Sequence, residues 1–376
     1  MAINPEEFYN EIASHGVELF TGVPDSLLKE FCLCVDDRMS KEQHIIAANE
    51  GNAVALACGH YLAKQSIPLV YMQNSGLGNA VNPLLSLCDP DVYSIPMLLM
   101  IGWRGEPGIK DEPQHVKQGK IQIELLNTMD IPYEIISKDS QDFKSKISNC
   151  IDRAKGENRP TVLLIKKGTF DKYGKTDSLD RDQGMTREEA LEMILDNLSD
   201  ETIVVSTTGK TSREIFEIRE KNNQSHEQDF LTVGSMGHCS SIALGIALAK
   251  PHRQVVCIDG DGAMLMHLGS ITSIADMKPK FFRHILMNNK VHESVGGQST
   301  AAKYIDLSGI VNSLGANKMF KAESPVELKQ YIGEFLSCSN SSFLEVKIQS
   351  GSRDDLGRPT KTPVENKVSF MKFLEH

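Results

Sequence analysis

The chain has 376 residues, of which 40% are hydrophobic and 24% are charged, a composition that excludes collagen, a coiled coil or a largely disordered chain. The net charge of -10 disfavours general nucleic-acid binding, because phosphate contacts need a cationic face. No apolar run is long enough to cross a membrane. The charge therefore argues against nucleic acid as a partner, and the lack of an apolar run argues against a membrane.

The first half of the chain predicts helices that alternate with short strands. Asn4-Pro5-Glu6-Glu7 combines a cap, a proline and two acids, which favours the start of a helix. Further on, strands are predicted at 17–20 and 44–47, helices from about Ser26 and at 51–63, and continuous apolar strands at 67–73, 96–101 and 161–165. This alternation is typical of βαβ units around a parallel sheet.

The same alternation restarts after a polar stretch. Strands are predicted at 203–206, 254–258, 284–287 and 343–348, with helices at 212–220, 239–249 and near 267–275. We therefore predict an α/β fold with two doubly wound parallel-sheet domains, 1–168 and 186–376, joined by a linker at 169–185.

Eight cysteines are scattered along the chain, without a CxxC pair or the cysteine–histidine spacing of a zinc finger. Most have apolar neighbours, which predicts buried free thiols in a reducing cytoplasm. The amino-terminal segment lacks the features of a secretory signal, so a cytoplasmic location is expected. Leu374-Glu375-His376 is interpreted as the start of an expression tag, outside the fold.

The strongest chemical signal is Gly260-Asp261-Gly262, followed after 25 residues by Asn288-Asn289. Both segments follow predicted strands. The glycines would let the backbone approach phosphate oxygens, and free N–H groups are expected at the helix that follows. Asp261 and an asparagine would supply the oxygen ligands that Mg²⁺ prefers. The pattern predicts a magnesium–diphosphate site, although two unrelated turns would carry the same residues.

This pattern resembles the thiamin-diphosphate-dependent decarboxylases, whose signature is a GDG followed at about this spacing by NN. The resemblance implies thiamin diphosphate and Mg²⁺ as cofactors, with the metal held by Asp261, an asparagine and the backbone carbonyl of Val291. The spacing leaves Asn288 and Asn289 open as the ligand, and we favour Asn289. Cofactor contacts are also expected at Gly260, Gly262 and Ala263.

Residues 47–53 resemble the segment that carries the activating glutamate of this family, which identifies Glu50 as the catalytic carboxyl beside the cofactor's pyrimidine ring. By its residues alone, Glu50 could equally be an acid in the first turn of a helix.

Residues 234–238 resemble the segment whose bulky apolar side chain holds the cofactor bent. That role falls to Met236, with Gly234 and Ser235 as further cofactor contacts, although Met236 could also be a core residue before a helix. Thr208 and Gly209, at a predicted strand end, are a weaker match for diphosphate contacts.

The chain has no room for the central domain of pyruvate decarboxylases, and its first and second domains resemble the pyrimidine-binding and diphosphate-binding domains. This compact arrangement resembles the phosphonopyruvate and sulfopyruvate decarboxylases, and residues 103–119 resemble the former. The resemblance implies carboxy-lyase activity: non-oxidative decarboxylation of 3-phosphonopyruvate to phosphonoacetaldehyde and CO2, in 2-aminoethylphosphonate biosynthesis.

Five residues are candidates for contact with this substrate. Asp25 and His115 are catalytic candidates for proton transfer, and Arg104 can pair bidentately with a phosphonate. Ser26 and Lys117 lie beside them in the sequence. A turn aspartate, a surface histidine and solvated surface charges are the alternatives for these residues.

Three rival functions follow from the same residues: a sulfopyruvate decarboxylase, a thiamin-dependent carboligase and a cofactor-free binding protein with a degenerate site. In this family the cofactor lies between domains of two subunits. Glu50 and Asp261 would then come from different chains, so a homodimer or higher homo-oligomer is expected.

Overall fold

The computed structural model describes residues 2–174, 184–293, 295–315 and 318–375. They divide into two compact units, one built from 2–174 and 295–298, the other from 184–293, 299–315 and 318–375. Each unit contains a parallel sheet with helices, which confirms the predicted α/β fold. Part of the predicted linker, 175–183, lies outside the described residues, so the predicted domain limits stay a prediction.

The first unit forms, from its described residues, a six-stranded parallel sheet in the order β2-β1-β3-β4-β6-β5. The strands are β1 (Phe20–Gly22), β2 (His44–Ile46), β3 (Leu69–Gln73), β4 (Leu98–Gly102), β5 (Tyr133–Ile136) and β6 (Thr161–Ile165). The helices are α1 (Pro5–Ser14), α2 (Lys29–Arg38), α3 (Glu50–Lys64), α4 (Leu77–Pro83), α5 (Pro113–Thr128) and α6 (Phe143–Glu157).

Strand β4 shows why the apolar runs predict buried strands. All its residues are buried, and alternate side chains point to opposite faces of the sheet. Leu98 and Met100 join the core on one face, while Leu99 and Ile101 join the core on the other. Phe170, within the predicted linker, packs on the first of these cores, where its ring lies 5.0 Å from that of Phe8.

The second unit forms another six-stranded parallel sheet from its described residues, in the order β11-β12-β10-β9-β7-β8. The strands are β7 (Ile203–Ser206), β8 (Asp229–Leu231), β9 (Val255–Gly260), β10 (Phe282–Asn288), β11 (Lys318–Ala322) and β12 (Ser342–Lys347). The helices are α7 (Arg187–Leu195), α8 (Lys210–Lys221), α9 (Cys239–Ala249), α10 (Asp261–Met266), α11 (Ser270–Met277), α12 (Leu307–Ser313), α13 (Pro325–Leu336) and α14 (Pro363–Glu375).

Three element boundaries differ from the predictions. The first strand is Phe20–Gly22 rather than 17–20, because Thr21 and Gly22 pair with both neighbouring strands. The helix predicted near 267–275 is two helices, and the first of them already begins at Asp261. Leu374 lies in α14 and packs against the core of the second unit, so the expectation that it lies outside the fold is wrong.

The cysteines follow the prediction closely. All eight are free, and seven of them are buried, with only Cys338 partly exposed. Among the described residues, no helix is both long and apolar enough to span a membrane.

Candidate active site

In each sheet the strand order changes direction beside the first strand of the unit, and several predicted site residues follow strands of this region. In the first unit the chain passes from β1 to β2 on one side and to β3 on the other. In the second unit β7 has the same position between β8 and β9. Open α/β sheets bind ligands at the carboxyl ends of the strands beside such a reversal. Each unit therefore has a candidate site at this edge.

Glu50 follows β2 and lies in the first turn of α3. The side chain of Asn49 caps this helix by accepting a hydrogen bond from the Asn52 amide at 2.9 Å, which fixes the position of Glu50. The Glu50 side chain is buried and accepts a hydrogen bond from Asn79 Nδ2 at 2.8 Å. Its other carboxylate oxygen lies against Gly76, where an added Cβ would come within 2.1 Å. The carboxyl is thus held in a fixed place by a glycine that leaves room for it.

Asp25 follows β1 and is completely buried. Its carboxylate accepts hydrogen bonds from Gln73 Nε2 at 2.6 Å and from the Leu27 amide at 3.2 Å. Burial raises the pKa of Asp25, while the Gln73 hydrogen bond and the charge of Arg104 oppose the rise. A carboxyl whose protonated form is favoured in this way suits proton transfer.

Arg104 follows β4 and is held by two neighbours. Its guanidinium forms a bidentate pair with Asp111, with nitrogen–oxygen distances of 2.8 and 2.5 Å, and donates to Ser26 Oγ at 3.0 Å. Burial opposes ionisation of Asp111, but hydrogen bonds from Arg104 and from the Gly105 and Glu112 amides lower its pKa. Asp111 therefore stays ionised and fixes Arg104.

His115 and Lys117 lie in the first turns of α5 and differ in exposure. His115 is half-buried, and its Nδ1 is buried with no hydrogen-bond partner in the described part of the chain. Burial and the nearby charge of Arg104 lower the pKa of His115, so its ring is neutral at pH 7. Lys117 is exposed. The structure thus gathers Asp25, Ser26 and His115 around the Arg104 guanidinium, with Lys117 at the surface.

Asp261 is the first residue of α10, directly after β9, and its side chain is buried. The carboxylate accepts a hydrogen bond from Thr300 Oγ1 at 2.5 Å. Burial raises the pKa of Asp261 to about 6, although Thr300 and the backbone amides of Gly262 and Asn289 oppose the rise. A bound cation would offset this cost of burying the carboxylate. The predicted donor set, a carboxylate, an amide side chain and a carbonyl, consists of the oxygen ligands that Mg²⁺ prefers.

The two asparagines of the motif have different neighbours. Asn288 is buried and donates a hydrogen bond to Glu345 at 2.7 Å. Asn289 Oδ1 accepts from the Val291 amide at 3.1 Å, and its Nδ2 donates to Glu293 at 3.0 Å. The backbone amide of Asn289 also approaches the Asp261 carboxylate, so the end of β10 lies beside Asp261.

The segment around Met236 packs against the start of α10. An added Cβ on Gly262 would lie 3.5 Å from the Met236 methyl group. Gly237 has a φ of +86°, and an added Cβ there would come within 2.9 Å of the Ala263 carbonyl, so only glycine allows this close approach. Gly234 and Ser235 precede these residues, and Ser235 is exposed.

Thr208 and Gly209 form the turn between β7 and α8. Gly209 has a φ of +96° and a ψ of -141°, a conformation that only glycine adopts readily. The turn lies beside β9, since the methyl group of Thr207 is 3.9 Å from the position that a Cβ on Gly260 would occupy. Both predicted diphosphate contacts are therefore on the same sheet edge as Gly260 and Asp261.

The sequence reasoning missed four residues of these two candidate sites: Gln73, Asp111, His292 and Thr300. Gln73 could have been found, because it ends a predicted strand. Asp111 and Thr300 lie 7 and 39 residues from their partners, and no local pattern links them. His292 lies beside Gly262, and burial lowers its pKa to about 4, so it is neutral.

Comparison with known proteins supplies relatives over nearly the whole chain. The family models for the N-terminal and C-terminal TPP binding domains of thiamine pyrophosphate enzymes match residues 6–128 and 207–346. A phosphonopyruvate decarboxylase from Streptomyces viridochromogenes is 32% identical, with 96% of this chain and 92% of that protein covered. One from Streptomyces hygroscopicus is 32% identical over 95% and 90%. A sulfopyruvate decarboxylase from Methanosarcina acetivorans is 28% identical over 99% and 98%.

Proposed function

The chain belongs to the phosphonopyruvate decarboxylase family of thiamine pyrophosphate enzymes, and from this premise we propose that it decarboxylates 3-phosphonopyruvate to phosphonoacetaldehyde and CO2. The observation that carries the proposal is the 32% identity to two phosphonopyruvate decarboxylases over almost their full length. The reaction would serve phosphonate biosynthesis, including that of 2-aminoethylphosphonate, in the cytoplasm.

Thiamin diphosphate, when bound, supplies the electron sink that decarboxylation of a 2-keto acid requires. Glu50 is our proposed partner of its pyrimidine ring, supported by the burial of this carboxyl and its fixed position against Gly76. Asp261, Asn289 and the Val291 carbonyl are the proposed ligands of Mg²⁺, supported by the buried Asp261 carboxylate. Thr208, Gly209, Met236 and the start of α10 are the proposed further contacts.

The residues around Arg104 have separate roles in this proposal. Arg104 binds the phosphonate of the substrate, and Asp111 orients the guanidinium through its bidentate pair. Asp25 and the neutral His115 hold and transfer protons at the reacting carbons. Opposite displacements of their pKa values, upward at Asp25 and downward at His115, suit an acid and a base at pH 7.

A side-by-side assay tests the proposed substrate. Phosphonopyruvate, sulfopyruvate and pyruvate are each supplied with thiamin diphosphate and Mg²⁺, and release of CO2 and formation of aldehyde are both measured. We expect the highest kcat/KM for phosphonopyruvate. A preference for sulfopyruvate would favour the second candidate, to which the 28% identical relative points. Consumption of keto acid without free aldehyde would indicate carboligation.

Assembly is a further part of the proposal. We propose a homodimer or higher homo-oligomer in which Glu50 and Asp261 of one site come from different chains. Mixing a Glu50→Gln chain with an Asp261→Asn chain tests this. If the sites are shared, one site of the mixed dimer receives both substitutions and the other receives neither, so the second site is active. Failure of the mixed dimer to regain activity, with exchange of subunits verified by mass, would contradict a shared site.

A further inference from the structure

Three side chains capable of binding a metal meet in the second unit, on the sheet face that packs against α9, and His284 lies beside them. Cys257 and Asp259 are two residues apart on β9 and therefore point to the same face. His284 on β10 is the register partner of Cys257. Cys239 is the first residue of α9, which packs over these strands. This cluster shares no residue with the proposed cofactor site, and Asp259 precedes Asp261 by two residues in the chain.

The distances within this cluster are short. The sulfur atoms of Cys239 and Cys257 are 3.7 Å apart, and His284 Nε2 lies 3.7 Å from Asp259 Oδ2. The two sulfurs and a carboxylate oxygen of Asp259 all lie within 4.8 Å of one another. Two thiolates on one tetrahedral zinc ion, each with a Zn–S bond of about 2.3 Å, would be about 3.8 Å apart. The observed sulfur separation already matches this geometry.

Burial makes the cluster unusual. The four residues are at most 3% exposed. Asp259 Oδ1 accepts a hydrogen bond from the Gly260 amide, but Asp259 Oδ2 and His284 Nε2 have no hydrogen-bond partner among the described residues. Buried polar atoms without partners destabilise a fold, and most are satisfied by a group that binds there. These two atoms lie 3.7 Å from each other, where they form an ion pair only when the histidine is protonated.

We propose that Cys239, Cys257, Asp259 and His284 bind one structural zinc ion. Thiolate and imidazole ligands select zinc over Mg²⁺ or Ca²⁺, which prefer oxygen ligands. Four protein ligands in a closed, buried site are typical of structural rather than catalytic zinc. A disulfide between the cysteines would leave Asp259 Oδ2 and His284 Nε2 without partners, whereas zinc satisfies all four groups. The ion would tie α9 to β9 and β10.

The zinc content of the purified protein tests this inference, and the measurement does not depend on any enzyme activity. We expect about one zinc ion per chain after expression and purification with zinc and without chelator. A Cys239→Ser/Cys257→Ser variant should lose it, since a hydroxyl is a poor zinc ligand. The matched control is Cys58→Ser/Cys88→Ser, because these thiols are also buried and 3.5 Å apart, but no further cysteine, histidine, aspartate or glutamate among the described residues completes a site there.

The wild-type protein alone provides a second measurement, in case the cysteine variant does not fold. Zinc is removed with a chelator under reducing conditions and Co²⁺ is added, and the absorption spectrum is recorded. Coordination by two thiolates gives a sulfur-to-cobalt charge-transfer band, and tetrahedral geometry gives strong d–d bands in the visible.

Several results would overturn the inference. They are a wild-type zinc content far below one per chain, equal zinc in both double variants, a cobalt spectrum without the thiolate band, or a Cys239–Cys257 disulfide found by mass spectrometry of the freshly purified protein. Added Mg²⁺ should not displace the zinc, and this separates the site from the one proposed at Asp261.

Discussion

Replacing Gly76 by alanine tests the placement of Glu50 without changing that residue. Gly76 is buried at the end of the turn Asn74–Gly76 and has a φ of -74°, which alanine adopts without strain. The new Cβ would lie 2.1 Å from Glu50 Oε1 and 2.5 Å from the carboxyl carbon. Because Cβ contacts below 3.0 Å essentially do not occur, the carboxyl must move by about 0.9 Å.

The displacement of the Glu50 carboxyl determines how far kcat should fall. A misplacement of about 1 Å in a reacting group can lower the rate by about 10²-fold, so we expect kcat to fall by about that factor. The fold should survive, because the atoms that must move, the carboxyl group and Cγ of Glu50, belong to one side chain and not to the backbone. Loss of the hydrogen bond from Asn79 should lower the free energy of unfolding by about 1 kcal/mol.

The matched control is Gly78→Ala, two residues further along. Gly78 is exposed in α4, and an added Cβ would meet nothing within 4 Å. Because alanine favours helix over glycine by about 1 kcal/mol, this variant should be as active as the wild type and slightly more stable. Steady-state decarboxylation and thermal unfolding are measured for both. Full kcat in Gly76→Ala, or an equal loss in both variants, would refute the assignment of Glu50.

Three further predictions concern the other proposed roles. Glu50→Gln keeps the side-chain volume and an acceptor for Asn79 but removes the acid. The kcat should therefore fall about 10²–10⁴-fold, with the unfolding temperature unchanged. A kcat near that of the wild type would contradict the proposed role of Glu50 as the catalytic carboxyl. Arg104→Ala should raise the KM for phosphonopyruvate about 10–100-fold, because charge-assisted hydrogen bonds are lost. The control Lys117→Ala, at an exposed residue, should change this KM less than about 2-fold. Similar KM values in both variants would count against a phosphonate site at Arg104. Asp261→Asn should raise the Mg²⁺ concentration needed for half-maximal activity by at least about 10-fold, measured by titration after chelator treatment, and an unchanged titration would remove Asp261 from the metal site.

The sequence alone predicted the central strands of both sheets. Strands such as β4 and β9 are covered on both faces, so they need nearly continuous apolar residues, and such runs are visible in a sequence. The three strands that were not predicted are β5, β8 and β11, and all three lie at sheet edges. Edge strands are only partly covered, so they mix polar and apolar residues and leave no such run.

The sequence also located the residues of the candidate site that belong to local motifs. Asp261 and the asparagine pair could be named from a glycine-rich motif and its spacing. The choice of Asn289 and the naming of Glu50 came from the resemblance of their segments to the decarboxylase family. Comparison with known proteins then established the family, while the roles of these residues stay proposals for experiment.

Only the tertiary structure decided which distant side chains meet. The pairing of Asp261 with Thr300 depends on where the chain returns after β10, and the contacts of Asp25 with Gln73 depend on β1 lying beside β3. The cysteines at 239 and 257 have no recognisable metal-binding spacing, yet strand register and helix packing bring them to Asp259 and His284. Strand order and register set these distances, and no local stretch of sequence encodes them.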